Sequence, residues 1–201
     1  ATYTWACWFK PRKLTDTQGF LFDNNSDFLI STRDGSLSHY NYDAGNGDSV
    51  RFAEGAKNYN KWNLAVVHKN GSGLIRWYIN GIPDSNTQQA SPSRVISGAY
   101  SIGGRSNGTY SFKGYIAAVG IWDEHDSLSD ANILAMYNAG PTLDWRTSYS
   151  GDLVNYWAFG NLTTNHSGGT ELDTGSAIYD RTSSDKNITT IGGAVFINDG
   201  G

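Results

Sequence analysis

Residues 61–84, KWNLAVVHKNGSGLIRWYINGIPD, decide the fold. Trp62, Leu64 and Val66 alternate with Ala65 and Val67, so both sides of this run are apolar. Successive side chains of a strand point to opposite faces, so the pattern belongs to a central strand covered on both. Leu74 to Ile79 then runs into Asn80-Gly81. That dipeptide is the strongest short hairpin signal, because a type I′ turn needs two positive φ values.

The same texture extends in both directions. Tyr3 to Phe9 is dense in aromatics and stops at Pro11, as a buried strand would. Gly19 to Phe22 and Asp27 to Ser31 flank a polar loop beginning at Asp23, and Leu37 to Tyr42 and Ser49 to Ala53 bracket a loop from Asp43 to Asp48. Val95 to Ile102 and Phe112 to Trp122 read as two more buried strands. Short β-rich runs punctuated by turn residues predict an all-β, two-sheet antiparallel sandwich. One short helix is expected near 129–138: Ser129 can cap it, Ile133, Met136 and Tyr137 share a face, and Gly140-Pro141 ends it. At this length it is expected to lie as a lid over one end of the sandwich. Residues 1–141 thus form the sandwich, and 142–201 form a β-containing extension that packs on it or completes it. Leu153–Phe159 and Ile188–Ile197 are the strands available for completion, in the same chain or in a neighbour.

Composition narrows the function. Charged residues are 17% of the 201, below the roughly 25% of an average soluble domain, while Gly reaches 24 residues. A net charge of -4 and a pI near 5.4 argue against a nucleic-acid partner, since counterion release needs a basic stripe. No run approaches the ~18 apolar residues of a membrane span. The chain opens at Ala1 without Met, which reads as a processed product or a fragment. Cys7 is alone, so no intrachain disulfide forms, and it is expected to be a small buried hydrophobe. Sequons stand at Asn24, Asn70, Asn107, Asn161, Asn165 and Asn187; they matter only in a host that glycosylates them.

The stretch at 61–84 resembles the part of laminin-G-like domains in which a Trp-led central strand precedes a hairpin ending in Tyr-x-Asn-Gly. FKGYIAAVGIWDEHDSLSDANILAMYNAG (112–140) resembles the closing signature of the same family, and YTWACWFKP (3–11) is similar to its early strand. The resemblance implies a concanavalin A-like jelly roll, mostly found in adhesive or glycan-binding modules and often with calcium at the sandwich rim. The strand that usually precedes Trp5–Phe9 is absent. The tail, GDLVNYWAFG onward, resembles segments that accompany such domains in structural proteins of marine phages, which implies a virion-surface setting.

Catalytic chemistry is poorly provided for. A glycosidase needs two carboxylates about 5–5.5 Å apart for retention, or further apart for inversion. Glu54, Glu124 and Glu171 are the only glutamates, and none sits in the Glu-x-Asp-x-x-Glu spacing that would set acids along one strand face. Asp123-Glu124-His125-Asp126 reads as the turn before the helix, where acids are favoured by its dipole. No His-Glu-x-x-His motif occurs, and no catalytic residue is assigned.

Two oxygen-rich groups are the candidate calcium ligands: Asp23, Asn25 and Asp27, with oxygens at i, i+2 and i+4, and Asp43 with Asp48. Such residues also favour turns without any ion. Sugar recognition needs an aromatic face together with convergent polar groups. Tyr40, Asn41, Tyr42 and Asp43 supply these beside one turn, and Arg105, Asn107 and Tyr110 beside another. The expected function is a non-catalytic adhesion or binding module, extracellular or on a virion surface, directed at a glycan or surface polysaccharide. The alternatives are a capsid decoration or fibre subunit that packs only against other virion proteins or its own copies, and, disfavoured, a carbohydrate-active enzyme. No nucleic acid and no membrane insertion is expected; a homo-oligomer through strand exchange is compatible.

Overall fold

The computed structural model describes residues 2–12, 19–23, 28–33, 36–43, 46–52, 58–89, 101–104, 110–159, 177–178 and 188–189. At 20, 28–33, 36, 38–43, 46–52, 86, 88, 177–178 and 188–189 the description is of the backbone alone. The chain runs β1 (Tyr3–Pro11), β2 (Gly19–Asp23), β3 (Phe28–Arg33), β4 (Ser36–Asp43) and β5 (Asn46–Phe52). Next come β6 (Asn63–Lys69), β7 (Leu74–Ile79), β8 (Ile82–Gln89), β9 (Ser101–Ile102) and β10 (Gly114–Trp122). Helices α1 (Asp130–Ala139) and α2 (Trp145–Ser148) precede β11 (Leu153–Ala158), β12 (Ala177–Ile178) and β13 (Ile188–Thr189).

A six-stranded sheet, β11-β10-β1-β6-β7-β8, packs on a five-stranded sheet, β5-β4-β3-β2-β9, with every pairing antiparallel. The fold is an all-β jelly-roll sandwich. β12 and β13 form a separate ribbon. The inter-sheet core takes one parity of β1 and β6: Trp5, Cys7 and Phe9 of β1 and Val67 of β6 meet Leu37 and, from β2, both Leu21 and Phe22, where a register shift breaks the alternation. Trp5 meets Phe22 edge-on at 6.1 Å, the favoured arrangement for a ring pair. Burial pushes the Cys7 thiol up in pKa, consistent with an inert apolar filler. Of the expected core, Trp5, Cys7, Phe9, Leu64, Val66 and Ile121 are buried. Trp62 and Ile116 are half-buried, because they lie toward one end of the six-stranded sheet, where its cover thins.

The opposite parity of that sheet is covered too, which corrects the expectation of a lid over the sandwich end. Ala6, Trp8, Leu64, Val66, Tyr78 and Trp122 pack against Leu128, Ile133 and Met136 from the α1 region and against Trp145 of α2. Helices therefore make a third layer over the outer face, and this is why β1 and β6 are apolar on both sides. Ser129 caps α1, its hydroxyl accepting from the Asn132 amide at 3.2 Å, and Gly140 ends it at φ 85°. The short α2 was not expected; Asp144 caps it and holds Trp145 fully buried.

Asn80 and Gly81 take φ 54° and 82°, as a type I′ turn requires. A Cβ on Gly81 would stand 2.9 Å from Leu134 Cδ1, so α1 rests on this turn. β10 carries Gly120 in its interior because two indoles cross it: a Cβ there would meet Trp122 and Trp145, each at 2.8 Å. Gly120→Ala is expected to destabilise by about 1–3 kcal/mol, the usual cost of overpacking, in denaturant unfolding. β11 lies at the sheet edge beside β10, pairing Ala118 with Ala158 and Ile121 with Asn155, and it buries Tyr156 on one face and Trp157 on the other.

Candidate functional site

At one end of the six-stranded sheet three segments are joined through their backbones: the Arg12 amide donates to Lys113 O at 2.9 Å and the Asn60 amide to Pro11 O at 2.8 Å. Lys10 is the next residue beyond Trp8 on the helix-covered face. Tyr137 of α1 stacks on Trp8 at 5.8 Å, and the cover thins beyond it. Lys10 Nζ lies 5.5 Å from the Tyr115 ring and 6.0 Å from the Trp62 ring, one on each side. The three form a row across β10, β1 and the approach to β6, since Lys10 pairs with Tyr115 and Phe9 with Asn63. Neighbouring strands are about 4.8 Å apart, which places the two aromatics roughly 10 Å from each other. Arg12 extends the row: its guanidinium donates to the Tyr115 hydroxyl at 2.7 Å and its Cζ lies 5.2 Å from that ring.

The platform is braced from below. Asn63 Oδ1 accepts from the Asn58 amide at 2.9 Å, and its Nδ2 donates to Asn58 O and Lys61 O, each at 2.9 Å. Asn80 Nδ2 donates to Asn63 Oδ1 at 3.2 Å, tying the 58–62 segment to the β7–β8 turn. Tyr59 and Tyr110, 36% and 47% exposed, add aromatic surface at this end. Half-exposed rings with fixed cations between them can pack against the C–H side of a sugar while donating to its oxygens.

The opposite end of the sheet carries the acids. Thr4 donates its hydroxyl to the carbonyls of Glu124 and His125 at 2.8 and 3.0 Å, and Thr2 donates to the Glu124 carboxylate at 3.1 Å. His125 Nε2 stands 2.7 Å from Asp126 Oδ2, and the Tyr78 hydroxyl donates to Asp130 Oδ1 at 2.7 Å. Burial and the Asp130 carboxylate push the Tyr78 hydroxyl up to about 12. His68 sits 5.0 Å from the Tyr78 ring, and burial above all drives its pKa down to about 4. His68 Nε2 and His125 Nδ1 have no hydrogen-bond partner among the described residues. These contacts fasten the β10–α1 connection to β1 and β7.

The residues singled out from sequence are distributed as follows. Tyr110 lies at the basic end in a positive-φ conformation, 53°; Arg105 and Asn107 fall outside the described residues. Tyr40, Asn41, Tyr42 and Asp43 form the last four residues of β4, so the pleat sets Tyr40 and Tyr42 at one parity and Asn41 and Asp43 at the other. Asp43 and Asp48, expected on a loop, are on paired strands whose register, Asp43 with Asn46 and Asn41 with Asp48, brings all four positions to one face. Asp23 is buried at the end of β2, and Asn25 and Asp27 lie outside the described residues. Among the described residues no three His, Cys, Asp or Glu side chains converge as metal ligands. The row itself was missed. Its signal was present in the parity of Lys10 after Trp8, but only strand order could reveal its neighbours.

A family profile described as the concanavalin A-like lectin/glucanases superfamily matches residues 1–134. The chain belongs to this laminin-G-like family. The match ends inside α1, so α2 and β11 lie beyond it. Among solved structures, a Bacteroides ovatus protein provisionally assigned to carbohydrate binding is similar at 16% identity and TM-score 0.66, covering 95% of this chain and 52% of its own. The binding domain of botulinum neurotoxin serotype D is similar at 18% identity and TM-score 0.55, over 69% of this chain and 37% of its own. This chain thus spans about half or less of these structures. No curated protein matches the sequence.

Proposed function

We propose that the protein is a non-catalytic glycan-binding module displayed on an outer surface, of a cell or of a virion. The Tyr115–Lys10–Trp62 row carries the reading: two aromatic rings in line with a cation between them, on braced backbone. The family's name and the carbohydrate-binding assignment of the Bacteroides ovatus structure support the ligand class. A binding role without chemistry is supported by the described acids, several of which are engaged structurally. Asp144 is held by Arg146 at 2.6 Å, Asp130 by Tyr78 and Glu124 by Thr2.

A glycan array followed by calorimetric titration tests this. Replacing Trp62 or Tyr115 with Ala is expected to weaken binding by about 30-fold, the effect of losing a hot-spot aromatic worth ~2 kcal/mol, while the chain stays folded although Trp62 also packs on the outer-face core. Unaltered affinity in both variants would remove the row from the site. Loss of binding on chelation would instead bring in the calcium ligands expected from sequence, Asp23, Asn25, Asp27, Asp43 and Asp48. Release of reducing sugar would overturn the non-catalytic reading.

A further inference from the structure

We infer that the ligand is an acidic polysaccharide, one whose carboxylate or sulfate groups are met by Lys10, Arg12, Lys61 and Lys113. The inference rests on the glycan-binding reading and adds the charge class to it. The three segments of the site, 10–12, 58–62 and 110–115, contain these four cations and no acidic residue, in a chain whose net charge is -4. Among the described residues none of the four is in a salt bridge. Arg12, Lys61 and Lys113 are exposed.

Apart from Asp84 on β8, the described acids of the same sheet are gathered at its far end, where Asp123, Glu124, Asp126 and Asp130 follow β10. β10 is nine residues long, which separates the two ends by about 30 Å at strand rise. That exceeds the screening length of about 10 Å at 0.1 M salt, so the acids do not cancel the cations for an approaching anion. A neutral sugar could be held by hydroxyl and amide groups alone. Four cations that no described acid pairs, set around aromatic rings, add attraction only for a charged ligand. Arg12 is also fixed in place by Tyr115, with the rest of its planar donor fork unused by any described acid, the geometry that suits a carboxylate or sulfate.

The test is titration of the full chain, and of a Lys10→Gln/Arg12→Gln variant, with three soluble polymers: a polyuronate, a sulfated galactan and a neutral galactan. At least one acidic polymer is expected to bind ten times more tightly than the neutral one. Its affinity is expected to fall tenfold between 50 and 300 mM salt and tenfold in the variant at unchanged melting temperature. Which acidic polymer binds tells carboxylate from sulfate. Preference for the neutral polymer, or binding indifferent to salt, would overturn the acidic class and leave the glycan reading standing. Failure of all three together with an empty glycan array would defeat both. Acidic binding that Trp62→Ala leaves intact would be unspecific ion attraction and would overturn the inference. So would stronger binding of a single-stranded oligonucleotide, which also reads cations and rings.

Discussion

Truncation after Pro141 is expected to abolish cooperative folding. The deletion removes Trp145, Tyr156 and Trp157, all essentially inaccessible to solvent. Trp145 lies tilted 5.6 Å from Trp122 and 5.3 Å from Tyr156, and together they roof the β10 end of the outer face. Losing one buried aromatic ring costs about 3–5 kcal/mol. Three together match the roughly 5–15 kcal/mol by which a domain is stable. The truncated chain would also expose β10 as an unpaired edge, a template for aggregation. Trp145→Ala alone, with β11 retained, is expected to lose about 3–5 kcal/mol in denaturant unfolding. A soluble 1–141 fragment with an unchanged melting curve would show that α2 and β11 are accessories.

Stability is expected to fall as the pH drops from about 6.5 to about 4, the ordinary and folded pKa values of His68. Burial is the main cause of the depression, with His125 and Arg76 adding to it and Asp126 and Asp130 opposing it. The unfolded chain takes up a proton at this residue near pH 6.5, whereas the folded chain resists until about 4. Acid therefore favours the unfolded state across that window, and the contribution is intact above pH 6.5. The loss is on the order of 3 kcal/mol. Carboxylates titrate in the lower half of the window, so the comparison is with His68→Gln, which is expected to flatten the slope between pH 6.5 and 5. Parallel profiles for the two proteins would clear His68 of the effect.

How far a feature could be read from sequence followed from how local its physics is. Asn80-Gly81 announced a turn because two adjacent positive φ values favour those residues wherever they occur. Ser129 and Gly140 announced the two ends of α1 for the same kind of reason. The central position of β6 was legible because Trp62, Leu64 and Val66 alternate with Ala65 and Val67. What covers its outer side was not, since an apolar parity does not say whether helix or sheet will meet it. Asp43 and Asp48 read as loop residues because Asp and Asn favour turns, yet pairing carried the β4 and β5 backbones almost to the hairpin tip.

By itself the sequence determined the strands, the capped helix, the sandwich class and the scarcity of catalytic carboxylates, all matters of residue type and short spacing. The tertiary structure alone decided that Tyr115, Lys10 and Trp62 stand in one row, because β10 and β6 flank β1 only through pairings between distant parts of the chain. It also decided the charge separation. Lys10, Arg12, Lys61 and Lys113 are scattered in a chain of net charge -4, and antiparallel pairing collects them at one end of the sheet while the acids after β10 go to the other. Strand order, which no single segment encodes, brought these four cations together.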